Sequence, residues 1–513
     1  MKDGDLKLDT RSLDVWLETA SRRGVLSRLA GSGPVEHCND MISPRSVYRR
    51  KGETYALMRV HEHDLLLVLT RGNTACHFEG KSKTHGGMQF IFCPLQHENA
   101  VSLREALPHT APRVHRGDEA SFGTGDRLGI ASPGHIHAVS GFRVFPVFAQ
   151  QSARELELTC RSFEEVIDAA TWAVFREGYN GPWGGDGDHL KTEEWVRKAR
   201  SAGCTMITAD VSDYIREKYA HAGLQEVRAA FGTMPREQKK AANSLLQKGT
   251  LTIERKVLIR YSEEELLRTV CVFGEALLHA AELYRACLEE SPDVDFELSV
   301  DETAVSTTPI AHLYISMEME RMQVPLYSVA PRFAGSFQKA LDYEGDLEEF
   351  ERSLRLHGAI ARQFGHRVSV HSGSDKFRIF SRIGTLTGRR FHLKTSGTSW
   401  LEALKVILEV DPQLFLSLYC RAKEKAVSAM RYYTVSFDPK GLPDASSFKE
   451  AGTSAVFRNP GIRQLLHVTY GEVLKDPSLK RNIYSVLQKN IEFYWRRLEG
   501  HMVRHLDALQ LSR

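Results

Sequence analysis

The chain has 513 residues, of which 42% are hydrophobic and 26% are charged, and these proportions are typical of a globular protein with a sizeable core. Lysine and arginine together number 68, aspartate and glutamate 65, and neither sign forms a long run, so we expect neither a nucleic-acid nor a membrane partner. The polar N-terminus and the short apolar runs near it predict a cytoplasmic protein that acts on small molecules.

Residues 1–120 differ from the rest of the chain because short strand-like runs alternate with turns. These runs are Tyr55–Val60, Leu65–Thr70 and Met88–Cys93. We therefore predict an N-terminal α+β region that precedes the main domain.

From about residue 121, short apolar strands alternate with helical stretches, which is the rhythm of a parallel βα fold. The predicted strands, one more than a (β/α)8 barrel requires, are Arg127–Ser132, Val144–Ala149, Trp172–Arg176, Thr205–Asp210, Phe296–Asp301, Leu326–Ala330, Arg367–His371, Arg390–Lys394 and Leu465–Thr469. The predicted fold class is α/β, a TIM-barrel-like (β/α)8 domain over residues 121–480 with an N-terminal α+β extension. Helical or irregular insertions are expected near 212–262 and 435–462, and a C-terminal helix over 481–513.

The stretch Gly184–Lys191 places two carboxylates, an imidazole and an ammonium on a glycine-rich segment, which we interpret as a loop. Glycines let the backbone approach a ligand closely, and an Asp directly before a His lets one side chain bind a metal while its neighbour handles a proton. We interpret the stretch as part of a reaction site, in which Asp186 is an ordinary turn residue.

Side chains alternate between apolar and polar in four of the predicted strands. In a barrel the apolar set faces the surrounding helices and the polar set faces the interior. The polar sets are Glu297, Ser299 and Asp301; Ser369 and His371; His392 and Lys394; and His467 and Thr469. Because burial of an unpaired charge costs several kcal/mol, this lining requires a metal, a substrate or water.

Catalytic groups of such barrels lie at the C-terminal ends of the strands. Three imidazoles and a carboxylate at these ends, His189, His371, His392 and Asp301, predict a site for a divalent transition metal such as Zn²⁺, Mn²⁺, Ni²⁺ or Co²⁺.

Basic groups at the same strand ends predict a substrate with a carboxylate or a phosphate. The predicted substrate-binding residues are Arg332, Lys376, Lys394 and His467. A lysine or arginine in this position could equally form a surface ion pair.

The run Gly123–Gly129 resembles a dinucleotide-binding fingerprint only loosely. It has one residue too many, and it is predicted to lead into a strand instead of leading out of a strand into a helix. We therefore predict no nucleotide cofactor.

Eight motifs follow one another along residues 120–480: RLGIASPGHI (127–136), GDGDHLKT (185–192), MITAD (206–210), SVDET (299–303), VAPRF (329–333), VHSGSDKF (370–377), FHLKTSGTSWLEA (391–403) and LLHVTYG (465–471). Together they resemble the tagaturonate/fructuronate epimerase family of bacterial hexuronate catabolism. The N-terminal hundred residues match less clearly, and Val329 stands where the family usually has Leu. The resemblance implies a TIM-barrel-like, metal-dependent isomerase that interconverts D-fructuronate and D-tagaturonate.

The implied reaction limits the mechanism, because the inverted carbinol carbon is β to both the ketone and the carboxylate and neither group acidifies its C–H bond. Two routes remain, retro-aldol cleavage with re-addition or transient oxidation by a nicotinamide. Since the chain carries no credible dinucleotide motif, we favour the aldol route, with the metal stabilising an enediolate. Asp188 is then expected to move the hydroxyl proton, with Glu297 or Glu302 as its acid/base partner.

Two other functions are compatible with the same residues. One is a class II-like aldolase, or another ketose or uronate isomerase; the aldolase would release the fragments. The other is a barrel that binds a sugar acid without turning it over.

Overall fold

The computed structural model describes residues 10–31, 41–60, 63–72, 77–254, 257–289, 291–433, 435–448 and 452–513. The chain divides into two compact units, residues 1–112 with 167–182 and residues 113–166 with 183–513. Among the helices within the described ranges, none has both the length and the apolar character that crossing a membrane requires.

The first unit contains a five-stranded antiparallel sheet. Its elements are α1 (Thr10–Arg22), α2 (Val25–Ala30), β1 (Tyr48–Arg50), β2 (Glu53–Val60), β3 (His63–Thr70), β4 (Lys81–His85), β5 (Met88–Cys93) and α3 (His97–Ala106). The strand order is β1-β2-β3-β5-β4. Strand β3 is apolar on both faces: Leu65 and Leu67 pack in one core cluster with α1 and α2, and Leu66 and Val68 pack in another with α3.

The second unit is built on a closed barrel of eight parallel strands, with a separate two-stranded hairpin. Its strands are β6 (Ser121–Gly125), β7 (Phe145–Ser152), β8 (Gly184–Leu190), β9 (Met206–Asp210), β10 (Thr250–Ile253), β11 (Val257–Arg260), β12 (Asp295–Ser299), β13 (Ser328–Ala330), β14 (Arg367–Val370) and β15 (Phe391–Thr395). The barrel order is β12-β13-β14-β15-β6-β7-β8-β9, and β10 pairs with β11 in a separate two-stranded sheet. The predicted (β/α)8 fold class is therefore confirmed.

Helices follow the barrel strands and fill the longer connections. They are α4 (Ser132–Val139), α5 (Ala153–Thr159), α6 (Phe163–Glu177), α7 (Glu193–Ser201), α8 (Lys218–His221), α9 (Leu224–Thr233), α10 (Arg236–Lys248), α11 (Glu263–Leu288), α12 (Pro309–Arg321), α13 (Leu347–Phe364), α14 (Phe377–Leu386), α15 (Thr398–Val410), α16 (Pro412–Ala429), α17 (Thr453–Arg458), α18 (Pro460–Val468), α19 (Tyr470–Leu474), α20 (Pro477–Lys489) and α21 (Ile491–Ala508). The segment between β9 and α11 contains α8, α9, α10 and the hairpin, and the chain ends in two helices, α20 and α21.

Three of the predicted strands are wrong. Residues 127–131 form a loop, because the Asp126 carboxylate accepts hydrogen bonds from the backbone N–H groups of Leu128, Gly129 and Ala131. Residues 172–176 lie in α6, and residues 465–468 lie in α18. Helix α18 begins where the Asn459 side chain accepts the N–H of Ile462, with a proline in the first turn.

Two barrel strands were not predicted, β6 and β8, because both are rich in glycine. The structure explains these glycines by close packing. A Cβ on Gly123 would lie 1.7 Å from Gln150 Oε1, and one on Gly187 would lie 2.7 Å from Ala199 Cβ in α7. Glycine in a strand is therefore required here for the approach of neighbouring groups.

The run Gly123–Gly129 ends a strand and precedes α4, so the predicted order of elements around it is wrong. Its second glycine has no room for a ligand, because a Cβ on Gly125 would already lie 2.7 Å from Ser396 Cα. The run serves strand packing within the barrel.

Candidate active site

The carboxyl ends of the barrel strands surround a cavity of about 630 Å³. Of the predicted site residues, those that line it are Asp188, His189, Asp301, Glu302, Arg332, His371 and Lys394. The active sites of (β/α)8 enzymes lie at this end of the barrel. Seven of the predicted site residues therefore lie together at this end of the barrel.

A break in strand register brings two successive side chains of β8 to the cavity. The pairing of β8 with β9 shifts between Gly187 and Leu190. Within this bulge His189 has a φ of 53°, in the left-handed region that side chains other than glycine rarely adopt. As a result Asp188 and His189 both line the cavity, although neighbours in a regular strand face opposite ways.

Lys394 lies at the centre of a buried charge cluster inside the barrel. Its Nζ lies 2.7 Å from Asp186 Oδ2, 2.6 Å from Asp188 Oδ1 and 2.8 Å from Glu297 Oε1. Burial lowers the pKa of Lys394, but the three carboxylates more than offset this effect and hold the pKa well above its usual value. The three N–H donors of the ammonium are directed to Asp186, Asp188 and the Thr208 hydroxyl, and the Glu297 carboxylate lies beside the group as an ion pair. Lys394 lines the cavity with its ammonium engaged by protein groups, and its direct contact with a substrate stays a prediction.

Asp186 belongs to this cluster, so its assignment as a turn residue is wrong. It lies within strand β8, is 1% exposed, and its Oδ2 contacts Lys394. Burial raises the pKa of Asp186 to about 6, although Lys394 acts in the opposite direction.

Glu297 is fully engaged with other protein groups. Its Oε1 lies next to Lys394 and His371, and its Oε2 accepts a hydrogen bond from the Ser328 hydroxyl. Burial raises the pKa of Glu297, but Lys394 and His371 more than offset it and hold the pKa well below its usual range. Glu297 does not line the cavity. Its predicted role as an acid/base partner stays a prediction, and the contacts favour Glu302, which lines the cavity, for that role.

Each of two histidines is held by one carboxylate of the cluster. His189 Nδ1 lies 2.8 Å from Asp188 Oδ1, and His371 Nε2 lies 2.7 Å from Glu297 Oε1. Burial raises the pKa of Asp188, but His189 and Lys394 hold it well below its usual range. When each of these ring nitrogens donates to its carboxylate, the lone pair remains on Nε2 of His189 and on Nδ1 of His371.

These two histidines and Asp301 form a group that could hold a metal ion. Their ligand atoms all lie within 4.8 Å of one another. His371 Nδ1 is buried and lies 2.9 Å from Asp301 Oδ1, at ion-pair distance but outside the angular geometry of a hydrogen bond. A buried ring nitrogen without a hydrogen bond needs an explanation, and a cation next to the ring and the carboxylate would provide one. Two imidazoles and a carboxylate suit a divalent transition metal, so the residues fit such an ion.

His392, a predicted metal ligand, does not belong to the group of His189, Asp301 and His371. His392 pairs with Ser369 in the barrel register, whereas His371 lies two residues beyond Ser369, directly after the end of β14. His392 thus lies one layer deeper, where its Nδ1 is 2.8 Å from Ser121 Oγ. Burial lowers the pKa of His392 to about 3. The alternation correctly predicted that this ring faces inward, but not its depth.

Arg332 is the predicted basic residue that remains available to a substrate. It lines the cavity, and its guanidinium group has no hydrogen bond or ion pair with any residue in the part of the chain that the structure describes. An arginine in this state can bind a carboxylate through two parallel hydrogen bonds.

Two other predicted substrate-binding residues, Lys376 and His467, lie away from the cavity lining. The Lys376 ammonium donates to backbone carbonyl groups, among them that of Gln338 at 3.0 Å, and burial lowers the pKa of Lys376 to about 7. His467 lies on α18, where its ring fills the space beside Gly397, and burial holds its pKa well below its usual value. Neither side chain lines the cavity.

The sequence did not identify the other residues of the cavity, among them Arg154, Lys339 and Tyr433. Arg154 Nη2 lies 3.4 Å from Glu302 Oε2, and its guanidinium carbon lies 5.6 Å from the centre of the Tyr433 ring. Lys339 Nζ lies 2.7 Å from Ser372 Oγ. Arg154 follows β7 directly, so its position at a strand end was a usable signal. Lys339 and Tyr433 lie in irregular segments that no pattern in the sequence places.

Comparison with known proteins agrees with this architecture. The tagaturonate epimerase family profile matches residues 43–509. A "Tagaturonate/fructuronate epimerase" of Thermotoga maritima is 38% identical over 466 residues, which cover 90% of this chain and 96% of the relative. The native crystal structure of a fructuronate-tagaturonate epimerase from Cohnella laeviribosi has a TM-score of 0.86 and 36% identity, over 92% of this chain and 96% of that one. A glycerol complex of the Cohnella enzyme gives a TM-score of 0.87 at 34% identity, over 96% of this chain and 100% of that one. The chain therefore belongs to the tagaturonate epimerase family and is an isomerase.

Proposed function

We propose that this chain is a metal-dependent epimerase that interconverts D-fructuronate and D-tagaturonate through retro-aldol cleavage and re-addition. The observation that carries the proposal is the content of one cavity, which is lined both by the group of His189, His371 and Asp301 and by Arg332, whose guanidinium group has no partner among the described residues. Such a cavity suits a substrate with a ketone and a hydroxyl group at one end and a carboxylate at the other. The substrates named for the Thermotoga and Cohnella enzymes have this arrangement.

Arg332 binds and orients the substrate through its carboxylate. The carboxylate does not change its bonding during the reaction, so this interaction holds the substrate equally before and after cleavage. It also keeps the carboxylate-bearing fragment in place while its aldehyde rotates. An epimerase differs from an aldolase in this retention, because both fragments must stay bound until the carbon–carbon bond forms again.

His189, His371 and Asp301 would hold the metal. When bound, the ion supplies Lewis acidity at the ketone end of the substrate, where negative charge develops as the carbon–carbon bond breaks. The protein's own contribution is to present two oriented imidazoles and one carboxylate on one side of the cavity.

Glu302 moves the hydroxyl proton. The side chain lines the cavity, and its Oε1 lies 3.8 Å from His189 Nε2. It takes the proton from the hydroxyl of the inverted carbon as the adjacent carbon–carbon bond breaks, and it returns the proton after the aldehyde has turned its other face. Asp188 is the second candidate, because it lines the cavity and only its Oδ1 is engaged by His189 and Lys394 among the described residues.

A direct assay tests the activity. The purified protein is incubated with D-fructuronate and a divalent metal, and the mixture is followed by NMR. We expect signals of D-tagaturonate to grow until both epimers are present at equilibrium. Accumulation of free fragments without the epimer would instead identify an aldolase, and binding without turnover would identify a sugar-acid binding protein.

An isotope experiment tests the route. Fructuronate carrying deuterium on the inverted carbon keeps that C–H bond intact throughout a retro-aldol reaction. We therefore expect full retention of deuterium and a rate close to that of the unlabelled substrate. A large primary isotope effect would contradict cleavage, since it would show that hydrogen leaves this carbon in the slow step.

A further inference from the structure

One lysine is connected to both histidines of the proposed metal group. Lys394 Nζ lies 2.6 Å from Asp188 Oδ1 and 2.8 Å from Glu297 Oε1. The same oxygen atoms contact His189 Nδ1 at 2.8 Å and His371 Nε2 at 2.7 Å. The side chains of Lys394 and Glu297 are 4% and 0% exposed, so water does not compete for these contacts.

We propose that Lys394 is a positioning residue that orients His189 and His371 at the same time, through Asp188 and Glu297. This inference rests on the metal site of the proposed function. A carboxylate that accepts from one ring nitrogen fixes the tautomer and the orientation of the ring, and thereby directs the other nitrogen toward a metal. Lys394 in turn fixes both carboxylates, because one of its N–H groups donates to Asp188 and its charge forms an ion pair with Glu297 at 2.8 Å.

The third carboxylate on Lys394 provides an internal comparison. Asp186 Oδ2 lies 2.7 Å from Lys394 Nζ, and the Asp186 side chain is 0% exposed. Its hydrogen-bond partners among the described residues are Lys394 and Thr208, and neither is a histidine. Asp186 therefore balances the lysine charge without holding a metal-binding ring.

A lysine is specifically suited to this position. Its ammonium group directs three N–H donors in three directions, whereas an arginine presents its donors in one plane. The three carboxylates come from two strands, β8 and β12, and Lys394 lies on β15. A planar guanidinium group could not contact all three in the same geometry.

The test compares three variants that differ only in which contact they change. Asp186→Asn, Asp188→Asn and Glu297→Gln each replace one buried carboxylate on Lys394 by the amide of the same shape. Affinity is measured with Co²⁺ alone, by competition with a chelating dye, and the visible spectrum of the bound Co²⁺ reports the ligand geometry. Thermal unfolding of each metal-free variant measures the structural cost separately.

Asp188→Asn and Glu297→Gln should weaken Co²⁺ binding by about 10- to 100-fold and change the spectrum, as expected when a group that orients a ligand is lost. Asp186→Asn should bind Co²⁺ within about threefold of the unaltered protein, with an unchanged spectrum. Lys394→Met should weaken binding at least as much as either orienting variant, and Lys394→Arg should restore only part of the loss. Lys198→Met, which removes a lysine paired with Glu194 on the exposed side of α7, is the control.

Two results would overturn the inference, and they are distinguishable from each other. If the unaltered protein binds no Co²⁺, the metal site itself is wrong and the proposed function fails with it. If the unaltered protein binds Co²⁺ but the three amide variants weaken binding equally, the metal site stands and Lys394 has only a general electrostatic role.

Discussion

Replacement of Arg332 by leucine should impair the reaction of the uronate through substrate binding. The guanidinium group lines the cavity and has no partner among the described residues, so the substrate carboxylate gains its full hydrogen-bonding capacity. Hydrogen bonds to a charged group contribute about 1.5–3 kcal/mol. Since about 1.4 kcal/mol corresponds to a factor of ten, kcat/KM should fall by about 10- to 150-fold. The loss should appear mainly in KM, because the carboxylate takes no part in bond making or breaking.

Steady-state epimerisation followed by NMR measures this effect, and two controls sharpen it. Arg352→Leu removes an exposed arginine on α13 that lies 3.7 Å from Glu348, and it should leave both constants unchanged. The neutral amide of the substrate should have a low kcat/KM with the unaltered enzyme. Arg332→Leu should lower this kcat/KM little further, because the two changes remove the same interaction. A twofold or smaller effect on the uronate, or an equal loss for acid and amide, would refute the assignment.

Three further predictions follow from the geometry. Chelation should abolish epimerisation, and metal analysis should show that His371→Ala loses the bound ion while His392→Ala retains it; equal loss in both would contradict the assigned ligands. Gly397→Ala should lower the unfolding temperature, because the new Cβ would lie 1.9 Å from His467 Nε2 and overpacking costs about 1–3 kcal/mol. The additional substitution His467→Ala should restore part of the lost stability. Burial lowers the pKa of His357 to about 4, below its unfolded value of about 6.5, so the unfolded state binds more protons between these values. The stability that this histidine contributes is therefore complete above pH 6.5 and falls as the pH approaches 4, by at most about 1.4 kcal/mol per pH unit. Urea unfolding at several pH values gives the free energy of unfolding as a function of pH, and this pH dependence should be steeper between pH 4 and 6.5 for the unaltered protein than for His357→Phe. An identical pH dependence in the two proteins would contradict the interpretation.

Alternation along the chain predicted much of the barrel because several strands pack one apolar and one polar face. In β12, Phe296 and Leu298 face outward and Glu297 faces inward, as their burial and contacts show. Strands β6 and β8 could not be found in this way, because their glycines are required by the close packing of groups that are distant in the sequence. A short alternating run also does not distinguish a strand from a helix that is buried on most sides, and for this reason Leu465–Thr469 was predicted as a strand.

The sequence could predict which side chains face the barrel interior, but not which of them reach the cavity. Alternation correctly placed His371 and His392 on inner faces, whereas the register between β14 and β15 determines that only His371 reaches the cavity. The partners of Lys394 likewise depend on which residues of β8 and β12 lie at its level. Strand register is set by contacts across the whole barrel, and a single sequence does not state it.

The residues that would hold the metal come from β8 and from the segments directly after β12 and β14, and in the closed barrel these strands alternate with β9 and β13. A bound ion would therefore act as a cross-link over five consecutive strands, more than half of the barrel's circumference. Because such an ion binds the folded chain and not the separated strands, a free concentration of about a thousand times Kd would raise the free energy of unfolding by about 4 kcal/mol. Amide hydrogen exchange in these five strands should then slow as the metal is added. The supply of metal would thus determine the stability of the folded protein as well as its catalytic rate.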